Sequence, residues 1–143
     1  ANMIFQRSVF YAANGFDERF GAGRFFSSGE DTDLLRRVLF LGYTGRYEPS
    51  LVIYHHHGRK TPADKKKLQA SYDRGIGAGF MKQLIYRPQK WLMLKVFYWH
   101  LRTMPLIRRM RQTWYFVLYG CHALTRPIGA NRHQSGMVRD NLQ

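Results

Sequence analysis

Apolar residues recur at helical spacing in some stretches of this chain and stand in short continuous runs in others. Leu34, Leu35, Val38 and Leu39 recur at helical spacing, with Arg36 and Arg37 on the other face. Ser28 stands ahead of this run with Asp31 three residues on, an approximate capping box, and Gly42 is a natural stop. A helix is therefore predicted over 30–41. A shorter one is predicted over 7–14, with Phe10 and Ala13 inward and Gly15 ending it. By contrast, 2–5 is a short apolar run that could be a strand, and 44–47 and 51–54 read as short strands around the Glu48-Pro49 break. Leu51-Val52-Ile53 has the pattern of a buried one.

Further along, 68–86 reads as a helix interrupted by Gly75-Ile76-Gly77-Ala78-Gly79. No strand precedes these glycines, which argues against a dinucleotide-binding loop. They predict instead a small-residue face that lets another helix or a loop approach closely. The stretch 16–26 is a loop rich in Gly and Phe, serving either to cover the core or as a flexible functional loop. Residues 58–67 read as a basic connector around Pro62. From Gln89 onward the chain turns aromatic and apolar over 91–104 and 114–124, separated by Arg108-Arg109-Met110-Arg111. No apolar run reaches the roughly 18 residues of a spanning helix. Trp, Tyr and Phe flanked by Lys and Arg predict two amphipathic helices lying in a membrane surface. A helical pair docked on the preceding domain is the alternative. The end, 128–143, is polar.

Composition narrows this picture. The 143 residues are 45% hydrophobic, enough for one folded domain, and they carry 23 Lys and Arg against 9 Asp and Glu. A net charge of +14 implies anionic partners: a nucleotide diphosphate, an acidic membrane surface or nucleic acid. Cys121 stands alone, which excludes an internal disulfide and a cysteine-based zinc cluster and fits a reducing compartment. No signal-peptide pattern opens the sequence.

Against that basic background, Glu30, Asp31 and Asp33 are concentrated in one short stretch. Acids favour helix N-termini through the macrodipole, so the cluster has a structural explanation as well as a chemical one. The surrounding motifs add to it. Ala1-Asn2-Met3-Ile4-Phe5-Gln6-Arg7, Gly15-Phe16-Asp17-Glu18-Arg19-Phe20-Gly21 and Ser28-Gly29-Glu30-Asp31-Thr32-Asp33-Leu34 come in that order. Gly42-Tyr43, Tyr47-Glu48-Pro49 and Val52-Ile53-Tyr54-His55-His56-His57 follow. In order and spacing this series resembles the C-terminal half of a family 2 glycosyltransferase of the GT-A fold.

The resemblance implies an α/β, Rossmann-like architecture: the acceptor-side part of a GT-A domain over 1–86, then amphipathic, membrane-surface helices over 87–143. It implies a donor-binding half with its own Asp-x-Asp motif ahead of Ala1, so the chain is expected to be a fragment. It assigns Asp31 as general base of an inverting transfer and Glu30 and Asp33 as acceptor contacts. His55 and His57 become ligands of a Mg or Mn ion, and Arg59 and Lys60 phosphate-binding residues. The expected partners are a nucleotide-sugar donor, a glycan or lipid-linked acceptor and an anionic membrane surface. The expected place is cytoplasmic, peripheral on the inner face of the cell membrane. Two alternatives stay open: a basic binding module without chemistry, for membrane or nucleic acid, and an inactive remnant. The acidic cluster is what a polyanion-binding surface would avoid, so no specific nucleic acid is expected.

Overall fold

A single long helix, α3 (Pro62–Tyr86), carries the rest of the chain in the computed structural model, which describes residues 2–54, 58 and 61–125. Its start is locally encoded. The Thr61 side chain accepts from the Asp64 N–H at 3.1 Å while Asp64 reaches back to the Thr61 N–H at 3.2 Å, and Pro62 fits the first turn, where its missing N–H costs nothing. The glycines do not interrupt this helix. They are its contact surface, as their small size predicted. A Cβ at Gly75 would overlap the backbone and hydroxyl of Ser28, and one at Gly77 would overlap the Gln112 carbonyl. A loop therefore lies against one flank of α3 and a helix against another.

The other helices are α1 (Arg7–Ala12), α2 (Glu30–Phe40), α4 (Lys90–Arg102) and α5 (Leu106–Thr125). α5 runs along α3, and α4 packs on both. Among the described residues, two clusters of buried apolar side chains join these elements. Phe20 and Phe26 of the 16–26 loop meet Ala78 of α3 and Tyr119 of α5. Ala13, Leu34 and Val38 join α1 to α2, with Phe5, Val9 and Phe10 packed around them. The helix α2 ends at Phe40 with Gly42 at φ 88°, the left-handed conformation that glycine adopts at little cost.

The α/β expectation is overturned. Among the described residues there is no sheet, and the only strand-like pairing is an isolated bridge between Phe20 and Phe26. The three predicted strands are irregular backbone. A strand needs a neighbour to satisfy its N–H and C=O groups, and among the described residues no strand pairs with these runs. Among the described residues, the Asn2 side chain donates to the Leu51 carbonyl at 2.9 Å and so links two of these runs. Val52 and Ile53, expected inside, are 62% and 57% exposed.

Buried charge ties the helices together at two points. Asp73 of α3 is fully buried and accepts from Arg108, Arg111 and Gln112 of α5 at 3.0, 3.0 and 2.8 Å. Lys82, 8% exposed, donates to Asp17 and Asp33 at 2.7 Å each. Arg37 completes this second knot. It donates to Asp33 at 2.9 Å, to the Gly15 carbonyl at 2.6 Å and to the Ala13 carbonyl. The sequence pattern put Arg37 on the solvent face of α2; instead it closes the end of α1.

Candidate functional site: the Asp31 cleft

The acidic stretch is held in place from behind. Ser28 Oγ donates to the Ser71 carbonyl and Ser71 Oγ to the Ser27 carbonyl, both at 2.9 Å. Gly29, at φ 96°, then turns the chain into α2 and serves as its N-cap residue. Ser28 is therefore not the cap that its position suggested, because its hydroxyl is spent on α3. This anchoring fixes which way each acid of the first turn faces.

Residues two apart on a helix point to nearly opposite sides, so Asp31 and Asp33 cannot act together. Asp33 faces inward, 2% exposed, and its Oδ2 is taken by Arg37 and Lys82. Its expected place as an acceptor contact is occupied by structural ion pairs. Asp31 faces outward into an open cleft of about 440 Å³, together with Met3, Phe5, Arg7, Phe10, Tyr11 and Phe16. Its Oδ1 accepts from the Thr32 N–H at 2.7 Å. Glu30 lies to the side, its carboxyl packed over Gly21 and absent from the cleft wall.

Aromatic rings dominate the opposite wall. Phe10 meets Phe16 edge-on at 5.6 Å and Tyr11 at 6.0 Å, and the Arg7 guanidinium lies 5.7 Å from the Tyr11 ring centre. Tyr11 and Phe16 keep about half of their surface open. In the loop 16–26, Phe20 and Phe26 cover the core as expected of a covering loop, while Phe16 lines the cleft. Arg7, Tyr11 and Phe16 were not singled out as site residues. Arg7 and Phe16 fall within the motif series without an assigned role, and for Tyr11 the sequence signal is an aromatic side chain on a helix too short to bury it.

The knot behind the cleft is electrostatically settled. Burial alone would raise the Asp17 carboxyl, but hydrogen bonds and charge from Arg19 and Lys82 outweigh it and hold it far below the usual carboxylate range. Burial pushes the Tyr119 hydroxyl well up, so it stays protonated. Asp17, Asp33 and Lys82 belong to the scaffold of the cleft and not to its lining.

The divalent cation implied by the resemblance falls to His55 and His57, and the phosphate contacts to Arg59 and Lys60. All four lie outside the described residues. Among the described residues no group of three or more His, Cys, Asp or Glu side chains could hold a metal ion. Asp31-Thr32-Asp33 does not fit one, because its two carboxylates diverge. No family model, curated protein or solved structure matches the chain.

Proposed function

We propose that the Asp31 cleft is the acceptor site of a glycosyl transfer. The observation that carries this reading is the single outward carboxylate at the rim of an open aromatic cleft. A pyranose ring has an apolar C–H face and a polar rim of hydroxyls. Tyr11 and Phe16 offer flat apolar surface to the first, and Asp31 and Arg7 offer hydrogen bonds to the second. Concave apolar surface with a few convergent polar groups is the usual make-up of a small-molecule site.

In the reaction, Asp31 takes the proton of the acceptor hydroxyl as its oxygen bonds to the anomeric carbon of the donor. The bond from that carbon to the nucleotide diphosphate breaks on the opposite side, and the diphosphate leaves with the electron pair. Attack opposite the leaving group inverts the anomeric centre. Arg59 and Lys60 balance the diphosphate charge. A Mg or Mn ion held by His55 or His57 would supply further counter-charge when bound. Helices, not a sheet, present the base.

Transfer of radiolabelled sugar from UDP-glucose, UDP-N-acetylglucosamine and GDP-mannose to oligosaccharide or polyprenyl-phosphate acceptors tests this. Asp31→Asn keeps the shape of the cleft and removes the base, so turnover should fall by about 10²-fold or more. Near-normal turnover of Asp31→Asn, measured in the enzyme that includes the donor-binding half, overturns the proposal.

A further inference from the structure

The outer surface of α5 carries an apolar stripe with nothing against it among the described residues. Ile107, Met110, Trp114, Val117, Cys121 and Leu124 recur at helical spacing on one side, and all are exposed: Trp114 by 63% and Leu124 by 86%. The opposite side of the same helix buries Gln112 and Tyr119 completely. From Leu106 to Leu124 the stripe is about 27 Å long at 1.5 Å per residue. Contiguous exposed apolar surface of this kind marks an interaction site.

Charge identifies the occupant. Between Arg74 and Thr125 there are nine Lys and Arg residues and no Asp or Glu; Lys82 is paired with Asp17 and Asp33, and Arg108 and Arg111 with Asp73, which leaves Arg74, Arg87, Lys90, Lys95, Arg102 and Arg109 as the positive charge of this region. At one end of the stripe a groove of about 460 Å³ is lined by Arg74, Ile107, Met110, Arg111, Trp114 and Tyr115. It sets the Arg74 guanidinium, next to that of Arg111 which also holds Asp73, beside apolar walls, the chemistry of a lipid phosphate and the top of its acyl chains. The neighbouring α4 exposes Trp91 and Trp99, and Arg102 lies 5.8 Å from the centres of the Tyr98 and Trp99 rings. Trp and Tyr interleaved with basic residues suit the headgroup region. A second copy is a poor occupant, because two chains of +14 repel. No helix among the described residues is long and apolar enough to cross a membrane, so contact is in the plane of the surface.

We infer that the outer face of α5 is a bilayer-docking surface that seats in the headgroup region of anionic membranes, with the Arg74–Arg111 groove holding a lipid phosphate. This holds whether or not the Asp31 cleft transfers sugar.

The test uses the full chain with Trp91→Phe and Trp99→Phe, which leaves Trp114 as the sole tryptophan. With phosphatidylcholine–phosphatidylglycerol vesicles, Trp114 emission should shift to the blue and be quenched by brominated acyl chains. With pure phosphatidylcholine it should do neither. Met110→Asp with Val117→Asp, both at exposed positions, should retain the far-ultraviolet circular dichroism of the parent and weaken vesicle partition about tenfold or more. Arg74→Ala should weaken it about fivefold. Absence of quenching on anionic vesicles overturns the inference. So does unchanged partition of the Met110→Asp, Val117→Asp variant, or a dimer in sedimentation equilibrium that buries Trp114 without lipid.

Discussion

Asp73 is the carboxylate on which the joint between α3 and α5 turns, and replacing it should show how much the joint is worth. In Asp73→Ala, Arg108 and Arg111 lose their partner, and Gln112 keeps only the bond between its Oε1 and His100. Breaking a buried ion pair from one side costs about 3–5 kcal/mol. The two arginine side chains are 25% and 27% exposed, so they can turn toward water, which favours the lower part of that range. Gln112 is fully buried and cannot, and an amide donor left unsatisfied costs about 1–3 kcal/mol. The expected loss is about 3–4 kcal/mol, a large share of the roughly 5–15 kcal/mol that a domain has. Urea denaturation followed by circular dichroism reads it directly. With a slope of about 1–3 kcal/mol per molar, the midpoint should fall by about 2 M. Asp73→Asn, which keeps the shape and one carbonyl acceptor, should lose less. A loss under about 1 kcal/mol in Asp73→Ala would refute the reasoning, because the arginines would then have been no better placed in the fold than in water.

The Asp17 carboxyl titrates below its unfolded value, so its contribution to stability is present above about pH 4 and disappears as pH falls through the folded value. Asp17→Asn should therefore flatten the acid limb of a stability–pH curve, and an unchanged limb would move the acid sensitivity elsewhere. Gly77→Ala forces a Cβ into the Gln112 carbonyl and should cost about 1–3 kcal/mol, whereas Gly45→Ala, with open space around it, should be near neutral in the same thermal melt. His55→Ala combined with His57→Ala should abolish Mn binding in calorimetric titration. An unchanged titration would place the ion on other residues.

Much of the helical frame is written in short-range pattern. Leu34, Val38 and Gly42 mark α2 and its end correctly, and the small residues of α3 predict a close approach that both Ser28 and Gln112 make. The Thr61-Pro62-Ala63-Asp64 cap was equally available in the sequence, although the segment reads at first as a connector. What could not be read are contacts between distant residues. Lys82 meets Asp33 across 49 positions, and nothing local in either helix announces it. That pairing turns Asp33 from a site residue into scaffold. The strand pattern of Leu51-Val52-Ile53 failed for a related reason: β-propensity measures fit to a pleated surface, and here no such surface forms. The cleft was half legible. Asp31 stands out as an acid in a basic chain, but Tyr11 and Phe16 join it only through the fold.

Saturation-transfer NMR with cellobiose and with N,N′-diacetylchitobiose addresses the cleft itself. Saturation should pass from the protein to the ring C–H protons of at least one disaccharide. It should be lost in Tyr11→Ala and kept in Asp31→Asn, because the first removes the stacking surface and the second only the charge. No transfer to either sugar, or transfer that survives Tyr11→Ala unchanged, would mean that the Asp31 cleft is not where this protein holds a sugar.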